Sequence, residues 1–490
     1  MKRRKFIKNT AVASTAMVLP PFIDTERVPY FGNGVHNGWA DQDSVAIWTR
    51  LTKNPELNAQ GVPFIELTKE QQKSFADLSD VSILEKSQIP SNLRLEDMEG
   101  ACPGTTGQVQ LSYYPENDPA DRHTLEWADV DASKNYTRQW KLTGLLPDTR
   151  YILELKSRKT KGAKGQNSIR GAFLTPPEAT RPKDVSFAVV SCHDFNRRDH
   201  EDGHRIYPAM KRDNLDFLVH TGDIEYYDKR NPYAFTERLM RFKWDRIFAL
   251  PYQRDFYSNT TCYFMKDDHD TLKDDAYPGT RYGAVSFDRG IEIFDKEQFP
   301  SNPKTYKTVR WGKDLQIWLL EGRNYRSKNT DPDGPDKHIL GKEQREWLFK
   351  TIDSSDATFK VLISASPIIG PDRPKGKNDN HSNKAYQYEG DIIREFVNRH
   401  DNIYMCNGDR HWQYVSHIKD SNLWEFCSGA GSDSHAGGWN QDNVRPEHRF
   451  LRVKGGYLTV DVMHTDSKPQ LVFKHRDVDG KVVHEEAFAS

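Results

Sequence analysis

Four short runs decide how this chain is read: Cys192-His193 after VSFAVVS (185–191), Gly222-Asp223-Ile224-Glu225-Tyr226 after LDFLVHT (215–221), Asp267-Asp268-His269-Asp270 after CYFMK (262–266) and Gly408-Asp409-Arg410-His411 after NIYMCN (402–407). Each leading segment is short, apolar and rich in β-branched or aromatic residues, so it predicts a buried strand whose exit carries the polar residues. In layered sheets with helices between the strands, ligands gather in the crevice outside the strand ends. Thiolate, carboxylate, phenolate and imidazole brought together in such a crevice point to a metal site.

Outward from these runs, strands alternate with helical patterns. VSFAVV, LDFLVH, CYFMK, LQIWLLE, FKVLISAS and NIYMCN read as strands; YPAMKR, FTERLMRFKWDRIFA, KEQREWLFKTI and EGDIIREFVNRH read as helices. That alternation predicts a layered α/β domain with a central sheet over 183–490, closed by two or three strands after Gly456 with a hairpin at Asp479-Gly480. Before it, residues 27–177 alternate apolar and polar positions between turn clusters, as an all-β sandwich does. Leu145 to Tyr151 looks like the tyrosine corner of a fibronectin-type sandwich. A polar stretch over 53–107 reads as an insertion in the sandwich, and Pro176 to Pro182 as a proline-stiffened linker.

At 490 residues the chain suggests about two or three domains. A net charge of -1 gives no overall field that would favour nucleic acid or a membrane surface. Residues 1–25, with Arg3-Arg4 ahead of TAVASTAMVL, have the pattern of a twin-arginine export signal; the alternative is a basic tail. The expectation is an exported protein, periplasmic or secreted to the cell surface, that meets the twin-arginine translocase and keeps no stable membrane anchor. Five cysteines leave at least one unpaired in an oxidising compartment unless a bridge forms between chains, and Cys192 is the expected one.

The chemistry of the runs suggests two cations. Cys192, Tyr226 and His411 with Asp223 suit a ferric ion, since only a strongly acidic metal deprotonates a phenol near neutral pH. Asp223, Asp268 and Asp409 are oxygen donors, which favours a hard ion such as calcium. The alternative for the 267–275 acids is a solvated acidic loop. His269 is expected to protonate a leaving group, or else to make a structural hydrogen bond. Two cations a few ångströms apart acidify a bound water and clamp a phosphoryl group, so the expected reaction is hydrolysis of a phosphate ester.

The ordered runs resemble the metallophosphoesterase superfamily, and in particular its PhoD-like branch, the alkaline phosphatase D family. Cys192, Gly222-Asp223-x-x-Tyr226 and Gly408-Asp409-x-His411 carry the branch-specific resemblance; Asp43 to Arg50 and Leu340-Gly341-x-x-Gln344-x-x-Trp347-Leu348 extend it over nearly the whole chain. The resemblance implies a four-layer α/β catalytic domain after the sandwich, Fe3+ at Cys192, Asp223, Tyr226 and His411, and Ca2+ at Asp223, Asp268 and Asp409, with other divalent ions as alternatives. It implies an alkaline phosphatase acting on phosphomonoesters and often on phosphodiesters, with a nucleotidase or phospholipase on the same scaffold as the alternative and an inert surface binding protein as a more distant one. Arg323 and Arg410 are candidates for holding phosphate, with a structural ion pair as the alternative for Arg323. Asn380 and His381 mark a candidate substrate loop over 378–386, where the sequence departs from the family's usual run. The Ser432–Trp439 loop, with His435, is a candidate lid.

Overall fold

The computed structural model describes residues 27–373, 379–465 and 468–490. The expected export signal and Asn378 lie outside them. Among the described residues no helix is long and apolar enough to cross a membrane.

An all-β sandwich comes first. The Val35–Gly38, Ser44–Arg50 and Thr137–Thr143 strands form one antiparallel sheet. The other is built on the Gln108–Pro115, Arg150–Arg158 and Asn167–Leu174 strands, also antiparallel. The tyrosine corner is present: the Leu146 N–H donates to the Tyr151 hydroxyl at 2.9 Å. The stretch between the sheets carries two short helices, Lys69–Phe75 and Val81–Lys86, capped by Thr68 and Asp80. Its apolar residues Phe64, Leu84 and Met98 share a core with Phe235 and Phe242 of the α/β domain.

Arg50 ties the sandwich to the rest of the molecule. Its guanidinium meets Asp245 Oδ2 at 2.8 Å and donates to Asn33 Oδ1 and the Cys102 carbonyl, all buried. Burial pushes Asp245 up to about 6 even though Arg50 opposes the shift. Removing either partner would leave a buried charge alone, which is why such a pair fixes an interface more than it stabilises it.

In the α/β domain the central sheet read from the alternation is two sheets face to face, as the four-layer resemblance implies. One runs in the order Thr261–Phe264, Phe217–His220, Val185–Val190, Gly456–Thr465, Lys468–Asp477, Val482–Ala489; its first three strands are parallel. The other runs Lys307–Trp311, Leu315–Leu319, Phe359–Ser364, Ile403–Asn407, Trp424–Cys427, Gln413–His417, His448–Arg452, parallel from Leu315 to Cys427. Periodicity marks strands but says nothing about which sheet each joins. Side chains alternate across each strand. Phe187, Val189, Phe217 and Val219 face Ile317, Val361 and Ile363 between the sheets. Ala188, Val190 and Leu218 face outward to the Ile206–Arg212, Glu237–Ala249 and Pro251–Asn259 helices. On the far side Trp318, Leu362 and Met405 meet the Gly341–Asp353 and Gln387–Asn398 helices. The order helix, sheet, sheet, helix gives four layers.

At the N-terminal end of the sheets His464 bridges Asp184 at 2.8 Å and Asp314 at 2.9 Å, one ring nitrogen to each. These hydrogen bonds, first to Asp184 and then to Asp314, raise its pKa. A raised folded-state pKa stabilises fully below the unfolded value, about 6.5, and the effect is lost as pH rises through the folded value. His464→Gln should therefore lower the thermal midpoint at about pH 5.5 and leave it nearly unchanged at about pH 9. A gap of equal size at both pH values would contradict the bridge.

Candidate metal centre

The candidate residues meet where the two sheets abut, at the C-terminal ends of the Val185–Val190, Phe217–His220, Thr261–Phe264 and Ile403–Asn407 strands. After the first two strands the backbones stay paired: Cys192 N–H donates to the Gly222 carbonyl at 3.2 Å and His193 N–H to the Asp223 carbonyl at 2.8 Å. Cys192, Asp223 and Asp409 all take positive φ, at 53°, 56° and 61°. For non-glycine residues that costs roughly 1–3 kcal/mol each, and it turns three donor side chains into one space. Two glycines permit the approach. A Cβ on Gly222 would lie 2.5 Å from the Asp267 nitrogen, and one on Gly408 would lie 2.2 Å from both Ser191 Oγ and Thr221 Oγ1.

Asp270 holds the turn from below. Its carboxylate accepts from the N–H groups of Asp223 at 2.5 Å, Ile224 at 2.8 Å, Glu225 at 3.2 Å and Asp267 at 3.0 Å. Successive backbone N–H groups around one anion form a nest that fixes the loop. Burial raises Asp270 to about 7 while these donors oppose the shift.

Asp223 is common to three donor groups. In each, one donor atom per residue lies within 4.8 Å of the others: Cys192, Asp223 and His411; Asp223, Asp268 and His269; Asp223, Asp267 and Asp409. Tyr226 joins the first, its hydroxyl 3.0 Å from Asp223 Oδ2 and 3.3 Å from His411 Nε2. The structure thus brings together Cys192, Asp223, Tyr226, Asp268, His269, Asp409 and His411, and adds Asp267.

The donor set fits a cation. Asp223 Oδ1 is buried without a hydrogen-bond partner. Burial, and after it the carboxylate of Asp223, raises both the Cys192 thiol and the Tyr226 phenol well above their usual values. Burial likewise raises Asp223 itself, helped by Asp268, Asp267 and Asp270. His411 is pushed well below its usual value by burial and then by His435, which leaves a neutral nitrogen to donate. Such groups become anionic together only around strong positive charge.

His269 stands to one side of Asp223. Burial works against its charge, yet Asp228, Asp268 and Asp223 carry it up to about 10. Its Nδ1 lies 2.7 Å from Asp228 Oδ1, and its ring lies 4.2 Å from that of Tyr226. A cavity of about 380 Å³ opens here, lined among others by Asp223, Tyr226, His269, Asp409, His411 and Trp412.

The two arginines picked from sequence are not in its wall. Arg323 is buried against Asp267, donating from Nε at 2.5 Å. Arg410 is buried against Asp372 at 2.6 Å, Asp379 at 2.8 Å and Asp409 at 2.7 Å. Asn380 donates to Asp372 and Asp379, and His381 meets Glu389 at 3.0 Å; neither reaches the cavity. Besides His269, Arg197, Lys229 and Arg373 line it with positive charge, and His435 comes in with Ala436 to Gly438 of the Ser432–Trp439 loop. Asp270 stands inside the third run as one more acid, and Asp228 lies two positions past the end of the second. All five cysteines are free and buried, Cys192 among them.

The donor cluster at the edge of the four layers, together with the likenesses that follow, supports a metal-dependent phosphoesterase. Residues 294–482, which include Asp409 and His411, match the family model for PhoD-like phosphatase. Alkaline phosphatase D of Bacillus subtilis (strain 168) is 22% identical over 484 residues, an alignment spanning 85% of this chain and 72% of that protein. Among solved structures, that of PhoD is similar with a TM-score of 0.70 at 17% identity, covering 96% of this chain and 92% of that one. Purple acid phosphatase PPD1 from yellow lupin seeds is similar with a TM-score of 0.59 at 10% identity, covering 93% and 74%. Residues 294–482 thus carry the match to PhoD-like phosphatase, and the comparisons support a phosphoric ester hydrolase.

Gly408→Ala tests the close approach. The added carbon should displace Ser191 or Thr221 at a cost of about 1–3 kcal/mol and reduce bound metal per chain. Denaturant unfolding and elemental analysis read both; a normal metal content would mean that the approach does not hold the centre.

Proposed function

We propose that this chain is an exported phosphatase that hydrolyses phosphomonoesters, and phosphodiesters as a second class, at an iron and calcium centre. The observation that carries the reading is Asp223, a buried carboxylate shared by three donor groups and left with an unpaired oxygen. Cys192, Asp223, Tyr226 and His411 would hold Fe3+, the ion that suits a buried thiol and phenol. Asp223, Asp268 and Asp409 would hold Ca2+, with Asp267 near enough to contribute. Once bound, the cations supply charge neutralisation for the phosphoryl group and acidify water.

The chain's own residues do the rest. Asp270 fixes the 223–225 backbone, so the shared carboxylate is placed before substrate arrives. Asp228 engages His269 at Nδ1, which leaves Nε2 to give a proton to the leaving oxygen. We assign 27–177 to the sandwich, with 53–107 inserted, and 183–490 to the catalytic domain. Export rests on the Arg3-Arg4 segment, which would take the chain through the twin-arginine translocase to the periplasm or cell surface.

Asp223→Asn should lower release of phosphate from an aryl phosphate by about 100-fold or more, because it removes the shared charge and keeps the shape. Unchanged turnover would move the site elsewhere. The purified protein should absorb in the visible through charge transfer from Tyr226 or Cys192, and Tyr226→Phe should shift that band. A colourless and fully active zinc protein would contradict the iron assignment alone.

A further inference from the structure

Building on the phosphoesterase reading above, we propose that Arg197, Lys229 and Arg373 form a substrate-binding rim. The rim selects phosphate esters that carry a second anionic group on the leaving side of the scissile phosphate.

The molecule uses its cations near the site in two ways. Arg323 and Arg410 are buried and occupied by the carboxylates of Asp267, Asp372, Asp379 and Asp409. Arg197, Lys229 and Arg373 line the cavity instead. Arg197 donates to the Ser434 carbonyl at 2.6 Å and makes no ion pair among the described residues. Lys229 comes no nearer than 3.8 Å to Asp228. Arg373 lies 3.7 Å from Asp372, without a hydrogen bond at that Nε, and its guanidinium stands 5.9 Å from the centre of the Trp412 ring. Each keeps N–H groups for a ligand.

The floor of the cavity is acidic, and bound cations would offset it. The rim has charge of its own. Against its three cations stand Asp194, whose carboxylate is turned onto the Asn196 N–H at 2.9 Å, and Asp274, which is half-exposed beside His269. A phosphoryl group on the metals, with His269 at its leaving oxygen, uses none of the rim. An ester with a neutral leaving group would therefore leave these cations unmatched, whereas a carboxylate or second phosphate there meets guanidinium forks suited to it.

Two non-hydrolysable ligands that differ only in the second group test this: 3-phosphonopropionate and 3-hydroxypropylphosphonate, titrated calorimetrically into the metal-loaded full chain at low salt. The carboxylate-bearing ligand should bind about fivefold more tightly, as expected for partly exposed ion pairs. In the Arg197→Gln, Arg373→Gln double variant the two affinities should converge, and Lys229→Gln should narrow the gap by itself. Equal affinities in the unaltered protein, or a preference that survives the double variant, would overturn the rim. Hydrolysis of an aryl phosphate by the same preparation separates the two readings: no turnover with the preference intact sinks the phosphoesterase reading and leaves the rim, and turnover without preference does the reverse.

Discussion

A carboxylate held out of water with one oxygen unpaired is the constraint on which the centre depends. Burial first, and the carboxylates of Asp268, Asp267 and Asp270 after it, drive Asp223 upward, while burial and then Asp223 drive the Cys192 thiol and the Tyr226 phenol the same way. Without positive charge the arrangement favours protonation; with it, the same atoms become a set of anionic donors. The surrounding backbone is built to keep them there. Three donors stand at positive φ, Gly408 lets two strand ends touch, and Asp270 ties down the turn that presents Asp223.

The two-sheet architecture explains how distant parts of the chain meet. Cys192, Asp223 and Asp268 follow strands of one sheet, and Asp409 and His411 follow a strand of the other. The apolar layer between the sheets, with Phe187, Val219, Val361 and Ile363, sets their spacing and so the geometry of the metal groups. Burial makes the outer shell rigid as well. Arg410 holds Asp372, Asp379 and Asp409 together, and Arg323 steadies Asp267.

Much of this was legible in the sequence, because apolar strands that end in donor residues signal both the fold class and the crevice. The tyrosine corner at Tyr151 and the named helices were readable from local pattern in the same way. Pairing was not: alternation gives one layered domain and is silent on whether Ile317 and Phe187 lie in the same sheet or in facing ones. Arg323 and Arg410 looked like phosphate ligands because position in a motif does not reveal burial or partners. Arg197, Lys229 and Arg373 lie outside the four runs, and only the fold gathers them at one mouth. Asp270 was hidden among neighbouring acids, since its task is to bind backbone N–H groups, which leaves no mark in sequence.

Anomalous diffraction at the iron edge from crystals of the purified, metal-loaded protein tests the central claim most directly. An iron peak is expected within coordination distance of Cys192 Sγ, Tyr226 Oη, His411 Nε2 and an Asp223 oxygen, with a second, lighter cation sharing Asp223. A metal peak remote from Asp223, or a fully active crystal whose Asp223 carboxylate touches no metal, would contradict it.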